Sequence, residues 1–181
     1  MHAWTVDLLS HLEAGRAELL VAVSDVPEAD RNLCPGEEMW SVANVLSHLA
    51  RTEGQIAALL QKRLRRHLAG PTGDSAPDGS ASVLARFDGA PVLDRRARMA
   101  APGFAAPDLG MTAADATARL ERARDRLTQV VLAADGRDVS GVRQDHHVFG
   151  ELDFYQWVLF AGFHERRHTA QLRELGATLG G

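Results

Sequence analysis

Four stretches of this chain repeat apolar residues at the helical period, and no stretch shows the apolar–polar alternation of a half-buried strand. That pattern predicts an all-α fold. The first stretch runs from Trp4 to Val23, with Leu8, Leu12, Leu19, Leu20 and Val23 near one face, and stops before a V-P-E-A-D turn. Ser41 can cap the second, in which Val45, Leu49, Ile56 and Leu60 recur on the way to Leu68. Thr112 and Asp115 form the T-x-x-D start of the third, whose inner face reads Ala116, Leu120, Ala123, Leu127 and Val131. Asp153 and Gln156 open the fourth, where Trp157, Ala161, His164, His168, Leu172 and Leu175 form one stripe. Helices with one apolar stripe each bury it against one another, so the expected architecture is a four-helix bundle.

The second and third helices are separated by a different kind of sequence. Five of the seven prolines and six of the sixteen glycines fall between Gly70 and Met111. Such a segment holds only a short helix, expected over Ala81–Phe87, and is long enough to be a crossover running the length of the bundle. The 181 residues suit one domain, 1–181, with the crossover at 70–111. A formal charge of -4 supplies no basic footprint for nucleic acid. The basic run from Lys62 to Arg66 reads as a solvated helix end. Cys34 is the only cysteine, which excludes an internal disulfide. With no signal-like start and no run of about 20 apolar residues, the expectation is a cytoplasmic protein without a membrane partner.

Three histidines stand on faces that are otherwise apolar: His48 on the second helix, and His164 and His168 four residues apart on the fourth. A core imidazole must be neutral and hydrogen-bonded, or bound to something, because burying an unpaired imidazolium is costly. Residues four apart share a helix face, so His164 and His168 can address one ion. His48 qualifies as the third ligand if it lies at the same level. It sits seven residues past Ser41 and His168 seven before Leu175, each roughly 10 Å inside its helix at about 1.5 Å per residue. The levels match when the second and fourth helices are antiparallel. An up-down-down-up bundle achieves this, and the crossover that it needs between helices 2 and 3 is the one at 70–111.

The same residues admit other readings. H-E-R-R-H matches the H-E-x-x-H pattern of zinc proteases, with Glu165 as general base. Gln171 and Glu174 occupy the positions of the glycine and third histidine in the extended form of that pattern, which disfavours it. A pair of satisfied core histidines without an ion is the plain alternative, made less attractive by the third histidine. His146 and His147 precede an F-G-E-L-D loop, from which they can reach a bundle mouth, although a loop pair is expected to face solvent. His2, His11 and His67 read as structural or exposed. Glu53 and Gln171 lie near the ligand faces, where they can orient the imidazoles or equally stand as exposed helix polars.

The segments W-S-V-A-N-V-L-S-H-L-A-R-T-E, H-H-V-F-G-E-L-D and H-E-R-R-H-T-A-Q-L together resemble the DinB-like (DinB/YfiT) superfamily of four-helix metalloenzymes. The resemblance implies an up-down-down-up bundle with a divalent ion on His48, His164 and His168. It also implies activities such as transfer of a low-molecular-weight thiol; the mycothiol-dependent isomerases of the family carry a further C-terminal domain with no counterpart here. The expected function is therefore a metal-dependent enzyme, a thiol S-transferase acting on a small thiol and an electrophile. The alternatives are a non-catalytic metal-binding or stress-response bundle and, behind it, a metal-dependent hydrolase. Three imidazoles suit zinc or nickel, with iron as a further fit. A homodimer is compatible with all of these.

Overall fold

A computed structural model describes residues 1–36, 39–70, 75–76, 79–96 and 103–179, without the side chains of Phe104 and Leu179. Four long helices carry the structure: α1 (Ala3–Ser24), α2 (Val42–Leu68), α4 (Ala113–Ala133) and α5 (Phe154–Leu179). Their starts are built as the residue types demand. Ser41 and Asn44 form a reciprocal capping box, Thr112 accepts from the Asp115 amide, and Asp153 and Gln156 exchange two bonds of 2.9 Å. Within the crossover, the helix expected over Ala81–Phe87 is a 3₁₀ turn at Val83–Arg86, followed by the one-turn α3 (Ala90–Leu93). Residues 71–74, 77–78 and 97–102 of that segment lie outside the described residues.

The fold is mostly helical, as expected, but it is not purely α. Strands β1 (Arg143–His146) and β2 (Gly150–Asp153) pair antiparallel, with Arg143 opposite Asp153 and His146 opposite Gly150. Gly150 adopts φ 69°, a left-handed conformation that costs glycine little and helps the three-residue connection close. R-Q-D-H and G-E-L-D are too short and too polar for alternation to reveal them.

Two apolar clusters fill the bundle. One joins Trp4, Leu8 and Leu12 of α1 to Ile56, Leu60 and Leu64 of α2, Leu127 and Val131 of α4, and the first two turns of α5. The other joins Leu19 and Val23 of α1 to Val42, Val45, Leu46, Leu49 and Ala50 of α2, Ala116 and Leu120 of α4, and Leu172 and Leu175 of α5. Each fully buried leucine contributes about 1.5–3 kcal/mol. Leu20, expected on the inner face of α1, is 44% exposed; it stands about 100° around the helix from Leu19 and falls outside the buried stripe.

Between the clusters lies a charged layer with one residue from each long helix. Glu165 bonds Arg16 at 2.6 Å and Arg124 at 2.7 Å; Glu53 bonds Arg124 at 2.5 Å and Arg16 at 3.1 Å. Arg124 also donates to the Leu12 carbonyl at 2.6 Å. The ring Arg16–Glu53–Arg124–Glu165 is largely buried and charge-balanced, and it fixes the mutual level of all four helices.

Candidate metal centre

The three histidines converge. A ring nitrogen from each of His48, His164 and His168 lies within 4.8 Å of the others. α5 runs to Leu179, four residues beyond the end used to match the depths, yet the side chains still meet. Their level follows from how α2 and α5 pack rather than from level helix ends.

The hydrogen bonds of the outer nitrogens determine what the inner ones present. His48 Nδ1 stands 2.6 Å from the Ala105 carbonyl, which can only accept, so Nδ1 carries the proton and Nε2 offers a lone pair. His168 Nδ1 likewise donates to Gln171 Oε1 at 2.8 Å. The crossover thus supplies the Ala105 carbonyl for one ligand, and α5 itself supplies Gln171 for another. His48 Nε2 and His164 Nε2 are 3.2 Å apart. Two nitrogens on a tetrahedral zinc at about 2.05 Å would stand roughly 3.3 Å apart, so this spacing fits an ion. Burial holds all three imidazoles neutral: it lowers His48, carries His164 well below its ordinary range, and brings His168 to about 3. Neutral imidazole is the form that binds metal.

The triad opens on a cavity of about 640 Å³. Trp40 closes over it, nearly parallel to His168, and Phe160 stacks on His164. The hairpin forms another wall. His146 is buried there and not solvent-facing as expected, whereas His147 is exposed. The His146 ring lies against Phe160 and Trp157, and its Nδ1 accepts from the amides of Val148 and Phe149 at 3.1 and 3.3 Å. The neutral ring therefore carries its proton on Nε2, and burial brings its pKa down to about 4. The one local signal near this residue is Gly150, whose left-handed φ lets β2 return along β1 before α5 begins.

Glu53 and Glu165 belong elsewhere. Glu53, expected near the imidazoles, bonds Arg16 and Arg124 instead. Burial raises its carboxyl while the two guanidiniums pull it down, with burial the larger effect. Glu165 has both oxygens engaged by the same arginines, so it is not available as a base on a zinc-bound water. The H-E-R-R-H resemblance to zinc proteases is one of spacing alone. His11 and His67 are structural: His11 Nε2 meets the Leu159 carbonyl at 3.1 Å, and His67 Nε2 the Asp138 carbonyl at 3.0 Å. His2 caps α1 by accepting from the Trp4 amide.

Among the described residues, no helix is long and apolar enough to cross a membrane. No solved structure matches the chain. An uncharacterized protein of Bacillus subtilis (strain 168), YuaE, is 25% identical over 168 residues, covering 92% of this chain and 96% of that protein. The family model of the DinB superfamily matches residues 11–172, which span the charged layer and all three histidines. With a match over most of its length, the chain belongs to the DinB superfamily.

Proposed function

We propose that this protein is a divalent-metal-dependent enzyme that transfers a small thiol to an electrophile, with His48, His164 and His168 as the ligands of zinc, nickel or iron. The observation that carries the reading is the position of the three inward nitrogens at the wall of a 640 Å³ cavity. A closed structural site has no use for such a space. We also read the two-cluster core as an up-down-down-up bundle, because α1 and α5 start in one cluster while α2 and α4 start in the other.

A bound ion supplies Lewis acidity, which favours the thiolate form of a coordinated thiol at neutral pH. The protein's part is positional. Ala105 and Gln171 hold two ligands in the tautomer that points a lone pair inward. Trp40 and Phe160 screen the triad from water. His146 keeps its proton on Nε2, a hydrogen-bond donor for an oxygen of the electrophile. A non-catalytic bundle in which the ion ties α2 to α5 is the second reading; the cavity beside the triad weighs against it.

The test is an assay of untagged protein against a panel of low-molecular-weight thiols and electrophiles. Turnover that His48→Ala abolishes is the expected result. Turnover unchanged by His48→Ala would overturn the proposal, and a chelation-induced loss of stability with no turnover would favour the second reading.

A further inference from the structure

One face of α2 runs the length of the cavity and changes character along it. His48 and Thr52 are followed at helical spacing by Ile56, Leu59, Lys62 and Arg66, and all six line the space. The end near the histidines is polar and the middle apolar, while the far end is cationic. From His48 to Lys62 the helix advances roughly 21 Å at about 1.5 Å per residue. Long helical side chains lean toward the N-terminus, so the cationic heads reach part of the way back.

From this gradient we infer that the cavity binds an elongated organic anion, its apolar body along Ile56 and Leu59 and its carboxylate or phosphate held by Lys62 and Arg66. The inference rests on the proposed function only in taking the triad end as the reacting end. Three observations support it. No ion pair among the described residues engages Lys62, Arg63 or Arg66, and Arg63 donates to Gln144 on the hairpin. Among the described residues the cavity wall sets a single carboxylate, Asp145, against these cations, and the remaining cation there, Arg167, donates to the carbonyls of Val92 and Asp94. Among the described residues Thr52 Oγ1 is buried and meets no hydrogen-bond partner, which is costly unless a ligand supplies one.

The ordinary reason for cations at a helix C-terminus is the macrodipole, whose reach is the last turn. That accounts for Arg65 and Arg66. It does not account for Lys62 and Arg63, which lie before that turn and line the cavity, whereas Arg65 does not.

Tryptophan fluorescence reads the test, because Trp40 and Trp157 line the cavity. Metal-loaded full-length protein is titrated with decanoate, decyl phosphate and the neutral decanamide, and again as the double variant Lys62→Gln, Arg66→Gln. The expectation is that at least one anion binds about tenfold more tightly than the amide. The stronger of the two anions identifies the head group. In the double variant that preference falls below about twofold, with metal content and amide affinity unchanged. Equal affinities in the native protein, no binding of any of the three, or a preference that survives in the double variant would each overturn the inference. So would a preference that vanishes on chelation with the rim intact, since the anion would then sit on the ion. A rim-dependent preference in a protein without thiol-transfer activity would leave the anion site standing while the proposed reaction fell.

Discussion

Replacing Glu165 by glutamine separates a structural carboxylate from a catalytic one. In the native ring Glu165 bonds Arg16 and Arg124 at 2.6 and 2.7 Å, and its side chain is 2% exposed. Glu165→Gln keeps the shape but leaves two buried guanidiniums sharing Glu53 alone. Removing one partner of a buried ion pair costs about 3–5 kcal/mol, and the retained amide oxygen places this variant near the lower figure. Unfolding entropy of roughly 2.1 cal/mol/K per residue over this chain converts about 3 kcal/mol into a Tm fall of about 8 °C. Urea denaturation and calorimetry read the loss, and metal analysis checks that the triad is intact. A paired replacement, Arg16→Met with Glu165→Leu, removes one charge of each sign and should recover most of the stability. A Glu165→Gln variant within about 0.5 kcal/mol of native that nonetheless loses activity would contradict a structural role and restore Glu165 as a catalytic base.

Gln171→Ala frees His168 Nδ1 and should weaken metal affinity about 10–100-fold with little change in fold, measured by competition with a chromogenic chelator. Gly162→Ala would place a Cβ 2.3 Å from His11 Nε2 and break its bond to Leu159, costing about 1–3 kcal/mol in urea unfolding. Gly54→Ala is the control: its Cβ would meet only Ala123 at 3.9 Å, and stability should rise by about 0.5–1 kcal/mol. Burial lowers the pKa of His11, His48, His146, His164 and His168, so the unfolded chain takes up protons that the native chain refuses. The stability of chelated protein should therefore be complete above about pH 6.5. Below it, each such histidine removes up to about 1.4 kcal/mol per pH unit until its folded value is reached. Equal urea midpoints at about pH 7.5 and pH 5 would contradict this.

The helices and the triad were legible because both are periodic. Caps at Ser41, Thr112 and Asp153 marked three starts, and the four-residue step from His164 to His168 placed both on one face. Features set by partners distant in sequence were not legible. Glu53 and His48 are five residues apart on α2, yet one turns to arginines of α1 and α4 while the other turns to α5. Nothing local distinguishes a carboxylate near a ligand face from one in a charged layer. His146 was misplaced because its strand is four residues long and its burial comes from Trp157 and Phe160 of α5. The Ala105 carbonyl that orients His48 is a backbone atom, and side-chain patterns carry no mark of it.

The proposed site requires His48, His164 and His168 to hold one divalent ion together. Elemental analysis of untagged protein, purified beside His48→Ala and His164→Ala, tests it most directly. About one equivalent of zinc, nickel or iron per native chain is expected, with near-zero content in both variants and helical circular dichroism retained. Equal metal content in all three proteins, whether near one or near zero, would contradict it.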